Sequence, residues 1–171
     1  MRFRLTWVLL IQLQDLSGLE GINSVGESFV LFSNPSIDNI NSMSNLTSVG
    51  GNLEIQENPE ILNLDGFSSL ESVGAGLLII GNSDLNSLAG LSSLVSIGGF
   101  LNISYNDNIS TLQGLQNIEG ESIQELDIVQ NSSLSECSVE SICEYLAAPN
   151  GFTYILYNAP GCNSIEEVED E

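Results

Sequence analysis

At 171 residues and 42% hydrophobic content, the chain fits one domain with a continuous core, provided its apolar positions are patterned. Two basic residues, Arg2 and Arg4, stand against 23 acidic ones, a formal charge of −21, so a folded surface is negative nearly everywhere and repels nucleic acid and anionic lipid. Histidine and lysine are absent, which excludes Ser-His-Asp and Cys-His nucleophilic systems, Schiff-base chemistry and ordinary zinc sites.

Residues 1–15 begin with Arg2 and Arg4 ahead of an apolar run from Leu5 to Leu13, the outline of a short export signal but without a small-residue cleavage site. The run is far shorter than the roughly 20 residues that span a bilayer, so no membrane span is expected. A second reading comes from the repeat described next. Leu5, Trp7, Leu13 and Leu16 fall one period before Phe29, Leu31, Ile37 and Ile40, with Leu10 at the place of Asn34. The stretch is expected to be either a degenerate half-coil, as in an array that continues upstream, or the remnant of an export signal.

Residues 16–133 read as five coils of a solenoid. The segments VGESFVLFSNPSI, VGGNLEIQENPEI, VGAGLLIIGNSDL and IGGFLNISYNDNI align without gaps, each 24 residues after the last. Each opens on a glycine (Gly26, Gly50, Gly74, Gly98), where a side chain would obstruct close stacking of coils. A strand follows whose inward residues are Phe29 and Leu31, Leu53 and Ile55, Leu77 and Ile79, Leu101 and Ile103, then Leu126 and Ile128. After each strand stands an asparagine: Asn34, Asn58, Asn82, Asn106, Asn131 and, in the terminal cap, Asn158. Asparagine tolerates tight turns and its amide bonds backbone groups, so this column is expected to tie neighbouring coils together rather than to form an active site.

Further apolar steps at Ile37 and Ile40, Met43 and Leu46, and their equivalents complete each coil. Broken by Ser, Asn and Gly, they leave no room for a helix of ordinary length, so the fold is expected to be mainly β. The fifth coil is one residue longer, Asn131 following Asn106 by 25, and a bulge or small loop is expected near Glu119 to Ser122.

Residues 134–164 form the cap. In SECSVESICEYLAAPNG, Val139, Ile142, Cys143 and Leu146 share a face at helical spacing, predicting one short helix with Ser138 as N-cap and Pro149 and Gly151 beyond its end. A last strand near Phe152 to Tyr157 precedes NAPGCN. Three cysteines allow one disulfide. Cys137 occupies the coil position of Leu112 and Cys162 follows the next asparagine by four, which favours Cys137–Cys162 and leaves Cys143 as a buried thiol; Cys143–Cys162 is the alternative. Residues 165–171, with five acids in the last six positions, read as an acidic tail, either a disordered end or the start of a further segment.

The remaining acids do not assemble chemistry. Glu54 and Asp127 both project outward, but from strands three coils apart, roughly 14 Å at the usual strand spacing, which is too far for paired-carboxylate glycoside hydrolysis. A β-helix polysaccharide lyase generally needs a basic residue, and the only two lie at the extreme amino terminus. Asn106, Asp107 and Asn108 are acidic-turn residues without a calcium-loop motif, and no metal or other cofactor is expected. Asn-X-Ser/Thr matches such as Asn45 and Asn102 are chance in a chain rich in Asn and Ser. The outward strand residues include Val30, Phe32, Leu78, Ile80 and Val129, with Phe100 beside the fourth strand. These six form the candidate binding face for a protein or glycan, although β-branched and aromatic residues also support a sheet without binding anything.

The tandem GLSSLVSIGGFLNISYNDNISTL with the cap LSECSVESICEYLAAPNG and NAPGCN resembles leucine-rich-repeat-like surface proteins of flavobacterial type, whose repeats are similar to the receptor L domain. The resemblance implies a right-handed β-helix or leucine-rich-repeat-like solenoid of about 24-residue coils with one short capping helix, exported to the cell exterior. It offers no catalytic residues. The chain is thus expected to be a non-enzymatic extracellular or cell-surface module for adhesion or recognition, monomeric or part of a longer multidomain chain. A structural spacer and, third, a β-helix polysaccharide-active enzyme are the alternatives.

Overall fold

The computed structural model describes residues 13–170; the expectations for Leu5, Trp7 and Leu10 lie outside the described residues. The chain is mainly β, built on two parallel sheets. One holds the two-residue strands β1 (Ser24–Val25), β3 (Ser48–Val49), β5 (Ser72–Val73) and β7 (Ser96–Ile97). The other holds β2 (Phe29–Phe32), β4 (Leu53–Gln56), β6 (Leu77–Ile80), β8 (Phe100–Ser104), β9 (Glu125–Val129) and β10 (Thr153–Leu156), in the order β10-β9-β8-β6-β4-β2.

The register follows from the repeat. Leu53 pairs with Phe29 on one side and Leu77 on the other, a step of 24 each way, and Leu77 pairs with Leu101. Identical steps put chemically equivalent side chains one above another, so the inward pairs from Leu53 and Ile55 to Leu126 and Ile128 are fully buried. Phe29 is only partly buried, because its coil is the first of the described stack; its ring meets Phe67 edge-on at 5.8 Å. Ile37, Ile61, Leu85 and Ile109, then Met43, Phe67, Leu91 and Leu115, continue the same core.

Short 3-10 turns at Asn41–Met43, Asp65–Phe67 and Ala89–Leu91 carry the chain around each repeat. Two glycine columns allow this spacing. A Cβ on Gly50, Gly74 or Gly98 would strike the backbone carbonyl of the glycine one repeat earlier. Gly66, Gly90 and Gly114 form a second column, against the carbonyls of Ile40, Leu64 and Leu88, which the sequence reading does not single out.

The extra residue of the fifth repeat is absorbed in a 3-10 turn, Gly120–Ser122, and the strand register resumes with Phe100 opposite Glu125. A turn takes the insertion without flipping the alternation of β9. The turn docks on helix α1 (Glu140–Ala147): the Gly120 N–H donates to Glu144 Oε2 at 3.0 Å, and a Cβ there would collide with the helix backbone.

Three details of the cap depart from expectation. Val139, not Ser138, is the residue immediately preceding the helix. The helix buries Ser141, Ile142, Tyr145 and Leu146, so Cys143 is exposed rather than buried. Tyr145 takes the inward place, its hydroxyl donating to the Phe152 carbonyl at 3.3 Å. The acidic residues 165–170 are not a loose tail: Ile165–Glu169 form helix α2, with Val168 buried. Ser164 Oγ accepts the Glu167 N–H, and Glu167 Oε2 accepts the Gly161 and Asn163 N–H groups at 2.8 and 3.0 Å. The Ser164-x-x-Glu167 spacing is an N-terminal helix signature that the reading of these residues as a tail left unused.

Candidate functional site

The asparagine column is an interior ladder. Asn34, Asn58, Asn82, Asn106 and Asn131 are fully buried, and Asn158 is half-buried at the last rung. Each backbone N–H donates to the Oδ1 of the asparagine in the next repeat, at 3.0 Å from Asn34 to Asn58 and 3.1 Å from Asn58 to Asn82. The rungs from Asn82, Asn106 and Asn131 measure 3.0, 3.0 and 2.9 Å. From Asn58 onward, each Nδ2 also donates to a strand carbonyl of the preceding repeat, as Asn82 does to Ile55 at 2.9 Å. Before each asparagine the backbone turns left-handed, at Ser33, Glu57, Gly81, Tyr105, Gln130 and Tyr157. That turn aims the amide into the core and leaves the preceding side chain outside. From Asn58 to Asn131 the column's acceptors and donors are therefore committed to holding repeats together, while Asn34 Oδ1 is buried without a partner.

Cys137 and Cys162 form a disulfide with 5.6 Å between Cα atoms, joining the end of the fifth repeat to the loop after β10. The Asn106–Asn108 turn is likewise spoken for, since Asp107 Oδ1 accepts the Ser132 hydroxyl at 2.7 Å and its N–H at 3.2 Å. Among the described residues no group of three or more Cys, Asp or Glu side chains is placed to hold a metal ion.

The outer face of the six-stranded sheet is where side chains remain free to meet a partner. Register places Val30, Glu54, Leu78, Asn102, Asp127 and Tyr154 in one row, and Phe32, Gln56, Ile80, Ser104, Val129 and Leu156 in the next. Val30, Phe32, Leu78, Ile80 and Val129 are half-exposed on it, and Phe100 is exposed with its ring laid over Gly76. They do not make one apolar patch. Glu54 and Gln56 interrupt the amino-terminal half, with Glu54 taking hydrogen bonds from Asn52 and Gln56 at 3.0 and 2.9 Å. Glu54 and Asp127 are three strands apart, as the spacing requires.

The carboxy-terminal half is more open. Phe152 and Tyr154 are exposed and stack with ring centroids 6.5 Å apart and planes 20° from parallel. Tyr105 and Tyr157 are also exposed. Beside Tyr154 runs a polar chain: Ser104 Oγ donates to Asn102 Oδ1 at 2.6 Å, and Asn102 Nδ2 donates to Asp127 Oδ2 at 3.3 Å. Partial burial, then the neighbouring Glu125 charge, pushes the Asp127 carboxyl above its ordinary value. These aromatics escape a search for apolar strand positions because two of them sit at left-handed turns and two around the cap strand; the aromatic spacing in FTYILY was the available signal.

A groove of ≈ 900 Å³ follows the other sheet, lined by Ser48, Val49, Gly50 and their equivalents. It is shaped by close stacking and presents small residues and backbone. Among the described residues no helix is long and apolar enough to cross a membrane. No protein-family model, no curated protein and no solved structure matches the chain.

Proposed function

We propose that this chain is a non-catalytic recognition module, a right-handed leucine-rich-repeat-like solenoid working outside the cell, and that it binds an uncharged glycan on the carboxy-terminal half of its outer sheet. The observation that carries the reading is the stacked pair Phe152 and Tyr154 beside the Ser104–Asn102–Asp127 hydrogen-bonded chain. Flat exposed rings next to fixed donors and acceptors match a pyranose, which offers apolar C–H faces and polar hydroxyl edges. A charge of −21 disfavours anionic sugars. The disulfide supports an oxidising compartment, and the lack of histidine and lysine supports a non-enzymatic role.

The test is a glycan array with the whole protein, followed by calorimetry on hits with Tyr154→Ala and Phe152→Ala. Both side chains are exposed, so circular dichroism should be unchanged while affinity drops at least about tenfold. Absence of binding to any neutral glycan would favour a structural spacer, a role that the rigid asparagine ladder suits equally.

A further inference from the structure

Asn150 is followed by Gly151, the only Asn-Gly pair in the sequence. An asparagine in this setting can modify itself. The backbone nitrogen of the next residue attacks the side-chain Cγ, ammonia leaves, and water then opens the cyclic imide to aspartate or to isoaspartate. Glycine favours the attack because no side chain shields its nitrogen or restricts its backbone. Both residues are exposed, so water reaches the imide.

The structure gives this amide a task. Asn150 Nδ2 donates to the Glu121 carbonyl at 3.1 Å and to the Ile123 carbonyl at 2.9 Å. It thereby ties the loop after α1 to the turn that absorbs the extra residue of the fifth repeat. Neither product can make this tie. A carboxylate offers the two carbonyl oxygens no donor, and Glu125, whose Cγ would lie 3.1 Å from a Cβ on Gly151, adds like charge nearby. Isoaspartate also lengthens the main chain by a methylene beside Gly151, where even a Cβ would strike the Gln124 carbonyl. The same two hydrogen bonds restrain the rotation of the amide that the attack requires, so the reaction waits on local opening of the loop.

We propose that Asn150 is a modification site and a latch: its deamidation turns the donor that fastens residues 148–152 to the fifth repeat into an acceptor, and frees that loop. Because β10 begins at Thr153, the change loosens the pairing at the start of that strand, where Leu126 donates its N–H to the Phe152 carbonyl at 3.0 Å.

The full chain and a synthetic peptide of residues 147–154 (AAPNGFTY) are held side by side in mildly alkaline buffer and mapped by mass spectrometry with isoaspartate detection. Asn150 is expected to convert ahead of every other asparagine in the chain, at a rate about tenfold or more below that of the peptide. In converted chains the Leu126 N–H should exchange with solvent about tenfold faster than in unconverted ones. Asn150→Asp, made directly, should show the same faster exchange with an unchanged circular dichroism spectrum. Asn150→Gln, whose longer side chain closes its larger imide ring far more slowly, should not acquire faster exchange on incubation. An unconverted Asn150 at the time the peptide is fully converted overturns the proposal, and so does conversion as fast as in the peptide. Unchanged exchange at Leu126 after conversion overturns the latch. Faster exchange in incubated Asn150→Gln overturns it as well, by placing the change at another residue.

Discussion

Asn82 donates its backbone N–H to Oδ1 of Asn106 at 3.0 Å while its own Nδ2 reaches back to the Ile55 carbonyl at 2.9 Å, so one residue joins three successive repeats. A core of leucines and isoleucines is tolerant of small sliding; a fixed amide between two repeats is not. The ladder therefore sets the register that the hydrophobic stack stabilises.

Asn82→Ala should destabilise by about 3 kcal/mol, since it strands two buried groups, the Asn58 N–H and the Ile55 carbonyl. The exposed Asn45→Ala, which loses one contact to the Glu20 carbonyl, should cost no more than about 0.5 kcal/mol. Urea unfolding of the two variants checks the contrast, and equal midpoints would refute a structural role for the column.

Gly74→Ala places a methyl against the Gly50 carbonyl and should cost about 2 kcal/mol or more, as the two repeats must part to admit it. Gly21→Ala meets nothing within 4 Å and should leave the thermal midpoint nearly unchanged. A wild-type midpoint in the first variant would show that the repeats are less closely stacked.

Cys137→Ser should lower stability by about 3 kcal/mol, because the Cys137–Cys162 bond closes a separation of 25 residues in the unfolded chain. Cys143 is exposed and should alkylate in the native protein. Partial burial, and after it the Glu140 charge, raises its thiol above the ordinary value, so the rate should climb with pH to a midpoint above that of a free cysteine. Mass spectrometry at stepped pH reads both the site and the midpoint.

Asp127 gives a pH signature. Its folded carboxyl titrates above the unfolded one, so in that window the folded state binds more protons and stability from this group falls as pH rises. Asp127→Asn should therefore be more stable than wild type at neutral pH, with the difference vanishing as pH drops below the ordinary aspartate range. Asp15 and Glu20, both lowered chiefly by backbone hydrogen bonds, run the other way, losing their contribution as pH falls. A difference between Asp127→Asn and wild type that grows on acidification would contradict the placement of Asp127.

The 24-residue period by itself determined the mainly β character, the parallel stacking, the inward pairs, the buried asparagines and where the extra residue is absorbed. Each is a local choice repeated, and repetition makes a weak pattern legible. The face of α1 was legible in Val139, Ile142 and Leu146 but not in the choice of Tyr145 over Cys143, because a helix of eight residues has few periods and its exact rotation is fixed by what it docks on, here the Gly120 turn. Where residues 165–170 lie was likewise decided by tertiary packing, Val168 entering the core, while Glu167 makes local bonds to Gly161 and Asn163 just before the helix. Which exposed aromatics share a surface depended on strands meeting at a distance: Tyr154 lies beside Asp127 through pairing across 27 residues, a neighbourhood no linear pattern states.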